Sequence, residues 1–328
     1  MKVLITGGTG FIGSHITRAA LRNGHAVRLL VRDEAKAQAI YRRHDIEIAD
    51  LCVGDMRDAD AVAAAVSGCD AVVHAAAEIA VAGGAGPTSA TANLDGATTV
   101  ITAAIAAGCD PIVYTSSVTA YLPTTAAMLT ESSPLAEPRS AYAASKRDVE
   151  LFIRHHQEAG APVVSVALGG VYGPEGPGLD GAAVAISSAL NVLMLVPPGG
   201  LGVIDVRDTA ELFVRLLEPG RGPRRIMAGG NFVTWREWAD VLQRARGQPV
   251  QCQEMSLDDI LELGREFDRQ RAAGQDVPPL SEEAALLMTA GVPSDDTTAR
   301  QVLGRDYRPI LETFRDTVDW LRQQGHVS

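Results

Sequence analysis

A glycine-rich turn constrains this chain more than any other feature. The run Thr6-Gly7-Gly8-Thr9-Gly10-Phe11-Ile12-Gly13 follows the apolar, β-branched segment Lys2 to Thr6 and leads into the helix-like stretch Ile12 to Asn23, which Gly24 closes. Gly8, Gly10 and Gly13 satisfy G-x-G-x-x-G, and counted from Gly7 the run also satisfies G-x-x-G-x-x-G. Alone the pattern is weak, but a strand before it and a helix after it supply what its physics requires. Missing side chains let a pyrophosphate approach the backbone, and the helix N-terminus offers unpaired amides and the positive end of a dipole. The bland alternative is a glycine-rich βα turn with no ligand.

Alternation then sets the architecture. Further strands are expected at Ala26 to Val31, Ala71 to His74, Ile112 to Ser116 and Val163 to Ala167. Between them, Asp58 to Ser67 reads as a helix closed by Gly68, and Asn93 to Ala107 as one closed by Gly108. These βα repeats predict an α/β fold, a doubly wound parallel sheet of the Rossmann kind. After Gly173-Pro174 come turn residues Gly176, Pro177, Gly178 and Gly181, an apolar segment from Ala182 to Val196 that reads as a buried or pocket-lining helix, and the break Pro197-Pro198-Gly199-Gly200. Helices follow at Trp235 to Arg246, Leu257 to Ala273 and Ile310 to Gln324, with Pro278-Pro279, Pro293 and Pro309 in the loops. The expected organisation is a dinucleotide-binding domain at 1–170, with 201–230 returning to it, and a smaller, partly helical C-terminal substrate domain from 171–200 and 231–328. A length of 328 residues suits two such units.

Cofactor choice turns on the end of the second strand, about 20 residues past the loop, where NAD binders carry an acid for the ribose and NADP binders an arginine. Arg32 and Asp33 stand there. A guanidinium pairs bidentately with a 2′-phosphate, whereas a carboxylate facing that phosphate repels it. NADP is therefore expected. NAD stays open through the alternative in which Arg32 is a solvated charge and Asp33 turns inward to the ribose.

Tyr142 and Lys146, in Tyr142-Ala143-Ala144-Ser145-Lys146, are four apart and share a helix face. A phenol near pKa 10 is a poor proton carrier at pH 7, but a neighbouring ammonium favours the phenolate and draws the pKa toward the working range. The lysine can also hold the nicotinamide ribose. Tyr-x-x-x-Lys is common by chance, so its company matters. Tyr114-Thr115-Ser116-Ser117 ends a strand 25 positions before Tyr142. A serine at that sheet edge can hydrogen-bond a substrate oxygen while the phenol moves a proton. In Val72-Val73-His74-Ala75-Ala76-Ala77 the small residues admit a flat ring, and His74 reads as a packed, hydrogen-bonded histidine before it reads as a base.

Composition excludes other classes. With 29 Lys and Arg against 40 Asp and Glu, the net charge of −11 repels polyanions, so neither nucleic acid nor an anionic membrane surface is expected as a partner. Cys52, Cys69, Cys109 and Cys252 form no Cys-x-x-Cys pair, and no metal-ligand set is expected. No export segment follows Met1, and Ala182 to Val196 is short and interrupted by Ser187, Ser188 and Asn191, so a cytoplasmic location is expected. His155-His156, Trp235, Trp238 and the Arg221 to Arg225 cluster read as surface or packing groups.

These residues together resemble the extended branch of the short-chain dehydrogenase/reductase superfamily over essentially the whole chain. The resemblance rests on the glycine loop, Gly54-Asp55, His74 to Ala77, Asn93-x-x-Gly96, Thr115 to Ser117, Tyr142 to Lys146, Val171-Tyr172-Gly173-Pro174 and Ile204 to Asp208. It implies catalytic places for Ser117, Tyr142 and Lys146 and a phosphate cradle formed by Gly7, Gly10, Phe11, Ile12 and Gly13. It further implies that Asp55 and Met56 touch the adenine, that Ala75, Ala76 and Ala77 line the ribose and pyrophosphate, and that Val171 meets the nicotinamide amide. The Asn93 and Tyr142 helices would form the four-helix interface of a homodimer, for which small-residue faces such as Ala97, Ile101, Ala104 and Ile105 are candidates, although those residues could equally pack on the sheet.

Within that branch, Val118-Thr119 replaces the acidic pair of nucleotide-sugar dehydratases, and Leu168 to Val171 lacks the Asn that nucleotide-sugar enzymes commonly place there. Val27 to Asp33 is similar to the second strand of dihydroflavonol reductase-like and hydroxysteroid dehydrogenase-like members. The expected function is NADP-dependent hydride transfer to or from a carbonyl or secondary alcohol of a small, apolar substrate. Ala182 to Val196 would serve as a wall over that substrate, or simply as core. Two alternatives stand: a sugar epimerase using the same triad, and a non-catalytic NADPH-sensing regulator, which would need the loop and Arg32 but not Tyr142 and Lys146.

Overall fold

The computed structural model describes residues 1–78, 88–278 and 280–328; Pro279 lies outside them. The β-rich elements are β1 (Lys2–Thr6), β2 (Ala26–Val31), β3 (Leu51–Val53), β4 (Ala71–His74), β5 (Ile112–Ser117), β6 (Val163–Leu168), β7 (Gly170–Tyr172), β8 (Met194–Val196), β9 (Gly200–Asp205), β10 (Arg224–Ala228), β11 (Asn231–Thr234) and β12 (Cys252–Glu254). The helices are α1 (Phe11–Arg22), α2 (Glu34–Arg42), α3 (Ala59–Val66), α4 (Thr88–Ala106), α5 (Ala141–Glu158), α6 (Gly181–Asn191), α7 (Val206–Arg215), α8 (Trp235–Arg246), α9 (Leu257–Ala272), α10 (Glu282–Ala290), α11 (Thr297–Leu303) and α12 (Ile310–Gln323).

Seven parallel strands form one sheet in the order β10-β6-β5-β4-β1-β2-β3. A buried parallel sheet needs apolar side chains on both faces, and β1 supplies them alternately. Val3 and Ile5 pack with Ile16 of α1 and Phe213 of α7, while Leu4 packs on the other face with Val62 of α3, Ile101 of α4 and Ile153 of α5. The chain winds outward from β1 in both directions, so β1 and β4 flank the switch point whose carboxyl edge forms a crevice. Thr6 pairs with His74 across it.

A second apolar cluster gathers Tyr172, Ile186, Trp238 and Phe314 beyond that edge. Beside it lie a three-stranded sheet, β11-β9-β7, and the pair β12-β8.

Two expectations need correction here. Ala182 to Val196 is not one helix: α6 ends at Asn191, and Met194–Val196 becomes a strand paired with Cys252–Glu254. An apolar run of that length does not distinguish a strand from a buried helix. Ala97, Ile101 and Ala104, offered as a dimer face, are wholly buried within the chain against the sheet. Among the described residues, no helix is long and apolar enough to cross a membrane.

Candidate active site

The loop between β1 and α1 closes on itself, with the Gly10 amide donating to the Gly7 carbonyl at 2.9 Å. Gly7 adopts a φ of 74°, and a Cβ there would lie 2.5 Å from the Ala76 nitrogen. At Gly13 a Cβ would stand 2.1 Å from the Gly7 carbonyl oxygen, so that glycine lets the helix come down onto the turn. No side chain caps α1 and no acid occupies its first turn, which leaves the positive helix end open to an anion. Phe11 and Ile12 turn their side chains to packing, Phe11 against the His15 ring and Ile12 against the core.

A cleft of about 230 Å³ opens over this loop. Gly7, Gly10, Arg32, Asp55, Met56, Ala75, Ala76 and Ala77 all line it, whereas Phe11, Ile12 and Gly13 are not among its lining residues. The residues therefore fit a dinucleotide: a backbone cradle, small side chains on the far wall and a charged rim. Asp33 does not reach the cleft, because its Oδ1 caps α2 by accepting the Lys36 amide at 2.9 Å. Arg32 is 74% exposed, its nearest acid being Glu78 at 3.9 Å. Asp55 pairs with Arg57, which holds its carboxyl down at about 2.

His74 behaves as a packed histidine. Its Nδ1 lies 2.7 Å from the Thr6 hydroxyl, which already accepts the Ala76 amide, and its ring stacks on Tyr114. Burial lowers its pKa to about 3, so the ring is neutral.

The carboxyl edge of β5 and the start of α5 hold the three proposed catalytic groups. Ser117 ends β5, and its Oγ accepts hydrogen bonds from the Thr119 amide at 3.2 Å and the Thr119 hydroxyl at 3.0 Å. Ser140 caps α5 through the Ala143 amide, and Tyr142 and Lys146 follow on one face. Burial pushes the Tyr142 phenol up, and a hydrogen bond with Ser117 pulls it back. Lys146 is only 4% exposed. Its Nζ donates to the Thr115 carbonyl at 3.0 Å and the Tyr114 hydroxyl at 3.4 Å, and it sits 6.0 Å from the Tyr142 ring centre. Burial brings its pKa down to about 8, against the opposing pull of Glu150. Val171 lies on β7, partly buried against the core.

An apolar cavity of about 380 Å³ adjoins the N-terminus of α5, lined by Leu122, Pro123, Ala143, Leu257, Leu261, Leu286 and Leu287, with Arg139 as its charged member. Of the two readings of Ala182 to Val196, the structure shows core: Ala183, Ile186, Leu190, Met194 and Val196 pack with Trp238 and Phe314.

Three further residues support the site: Asn93, which the sequence showed as a motif without assigning it a contact, and Glu283 and Glu150, which it did not single out. Asn93 accepts the Glu78 amide at 2.7 Å and donates to the Glu78 carbonyl and to Ser145, tying the segment after β4 to α5; its Asn-x-x-Gly motif was the available signal. Glu283 of α10 accepts the Tyr142 amide at 3.2 Å, a contact across 141 positions that no local pattern announces. Glu150 lies fully buried one turn beyond Lys146.

Comparison with known proteins places these features in context. A family model described as the NAD dependent epimerase/dehydratase family matches residues 3–229. The chain is 24% identical over 335 residues to sterol demethylase protein B of Methylococcus capsulatus, covering all of both chains. It is 27% identical over 338 residues to a putative dihydroflavonol 4-reductase of Synechocystis, covering 98% of this chain and 95% of the relative. Among solved structures, UDP-glucose-4-epimerase from Stenotrophomonas maltophila, with bound NAD and formylated UDP-arabinopyranose, superposes with a TM-score of 0.79 at 20% identity over 99% of each chain. At that identity the likeness shows the fold.

Proposed function

Because the chain belongs to the NAD dependent epimerase/dehydratase family, a family of nicotinamide-dependent enzymes, we propose that it is an NADP-dependent oxidoreductase acting on a carbonyl or secondary alcohol of a small, apolar substrate. The observation that carries this reading is the meeting of Ser117, Tyr142 and Lys146 at the sheet edge, with a leucine-lined cavity beside the Tyr142 helix. Bound in the glycine-lined cleft, the nicotinamide group supplies or accepts the hydride. The chain's own part is to hold the substrate oxygen at Ser117, to exchange its proton at the Tyr142 hydroxyl, and to grip the ribose through Lys146. The cleft is assigned to Gly7, Gly10, Phe11, Ile12, Gly13, Arg32, Asp55, Met56 and Ala75 to Ala77, with Val171 at the nicotinamide amide.

Arg32 supports NADP over NAD, since its guanidinium stands open while Asp33 is committed to capping α2. Titration should show tighter binding of NADPH than of NADH, and Arg32→Ala should erase most of that margin. One charge-assisted bidentate contact is worth about 1.5 to 3 kcal/mol, roughly ten- to a hundredfold. Equal affinities in the unmodified protein would remove the assignment.

A second reading, a nucleotide-sugar epimerase using the same three residues, is favoured by the family description and by the epimerase that shares the fold. The apolar lining beside α5 weighs against a diphosphate sugar there. A silent NADPH sensor has no use for the buried Lys146 and the Ser117 contact to Tyr142.

The same reading divides the chain into 1–170 with 201–230, and 171–200 with 231–328; β10 in the large sheet and Leu212 and Phe213 of α7 in its core support that division, whereas Gly200–Asp205 pairs with β7 and β11. It also includes a cytoplasmic homodimer formed through α4 and α5. Leu151, 54% exposed on α5, supports that face in place of the buried alanines. Light scattering at micromolar concentration should give twice the chain mass of 34.5 kDa, and a clean monomer would exclude the dimer.

A further inference from the structure

Glu150 is a buried titratable group that the proposed chemistry leaves without a task. It is 0% exposed, lies one helical turn beyond Lys146 on α5, and its Oε1 has no hydrogen-bond partner. Its other oxygen accepts the Ser165 hydroxyl at 3.4 Å. Residues four apart on a helix are neighbours, so the carboxylate and the Lys146 ammonium share one buried stretch between α5 and the sheet. We propose that Glu150 is a positioning residue for Lys146: its carboxylate is the counter-charge that keeps the buried ammonium protonated and in place beneath Tyr142. The inference rests on the reading of Lys146 as the ribose-gripping, phenol-facing cation.

Burial alone favours a neutral amine, because an unpaired ammonium in an apolar interior loses its hydration. The neighbours Lys146 touches directly, the Tyr114 hydroxyl and the Thr115 carbonyl, bring no negative charge. Charged and titratable groups facing this stretch are few. His74 of β4 is neutral, and burial keeps the Tyr114 phenol of β5 protonated. Tyr121 follows β5 and is likewise pushed up by burial. Arg154 of α5 and Arg225 of β10, with the hydroxyls of Ser116 and Ser165, counter the burial that pushes the Glu150 carboxyl up. That leaves Glu150 as the anion acting on Lys146.

The chain offers a clean test, because Lys2, Lys36 and Lys146 are its only lysines. In protein labelled with ¹³C at lysine Cε, NMR titration resolves three signals, and Lys146→Met identifies the one sought. Its midpoint should fall near the value of about 8 in the unmodified chain. In Glu150→Gln it should drop by about one pH unit or more, the scale of a unit charge one helical turn away at moderate effective dielectric. Glu150→Met, a second neutral variant, should give the same drop should Gln fail to fold, and Glu150→Asp should recover part of it. NADPH affinity of Glu150→Gln should match the unmodified chain at pH 6 and fall several-fold short of it at pH 8. An unchanged Lys146 midpoint in a folded neutral variant would overturn the proposal. The titration needs neither cofactor nor substrate, so its failure is separate from a failure of NADPH to bind.

Discussion

Replacing Tyr142 by Phe is expected to leave NADPH binding intact and to lower turnover by roughly 100-fold or more, the usual scale of lost acid/base catalysis. The substitution removes one hydroxyl and almost no volume from a ring held by its helix, and the cleft residues are on other elements. Binding and chemistry therefore separate. Lys146→Met should damage both, since its ammonium is assigned to the ribose and to the site beneath the phenol. Fluorescence titration and steady-state rates on a validated substrate check the pair. Unchanged turnover in Tyr142→Phe would move the proton to another group, and His74, neutral and buried against Thr6, is poorly placed to receive it.

Gly13→Ala carries the second large expectation, at least about 100-fold weaker NADPH binding with the sheet intact by circular dichroism. The new Cβ would lie 2.1 Å from the Gly7 carbonyl oxygen, so the turn or the helix has to move by an ångström or more. Gly7 cannot yield easily, because its own backbone sits against Ala75 and Ala76 at a φ of 74°. A shift of about 1 Å in a binding geometry is enough for a hundredfold loss. Gly178→Ala is the matched control: nothing lies within 4 Å of its Cβ, and it should bind NADPH as before. Equal affinity of Gly13→Ala and the unmodified chain would show that the loop is not the phosphate cradle.

The strands were legible because burial on both faces writes continuous β-branched runs; Lys2–Thr6, Ala26–Val31 and Ala71–His74 stand as read. So was the loop, whose spacing leaves little freedom. What escaped was set by distant partners. Leu51–Val53 is three residues long and is a strand only because β2 is beside it. Met194–Val196 shares its composition with a buried helix and becomes a strand through Cys252–Glu254. The cavity beside α5 draws on Leu257, Leu261, Leu286 and Leu287, which sit on two helices brought to α5 from the far end of the chain. At the site itself, Ser117, Tyr142 and Lys146 were visible as residue types at telling spacings. The balance of burial against hydrogen bonding at the phenol, and the buried Glu150, depend on the fold around them.

The central claim is net hydride transfer to or from a small apolar carbonyl or secondary alcohol, read most directly in the reductive direction by NADPH absorbance followed against a panel of small apolar ketones, with UDP-glucose and UDP-galactose assayed in parallel. The account predicts that at least one ketone consumes NADPH in equal measure with the alcohol formed, and that Tyr142→Phe slows this consumption by roughly 100-fold or more. Interconversion of the two UDP-sugars without net change in cofactor, together with no NADPH consumed by any ketone, would contradict it.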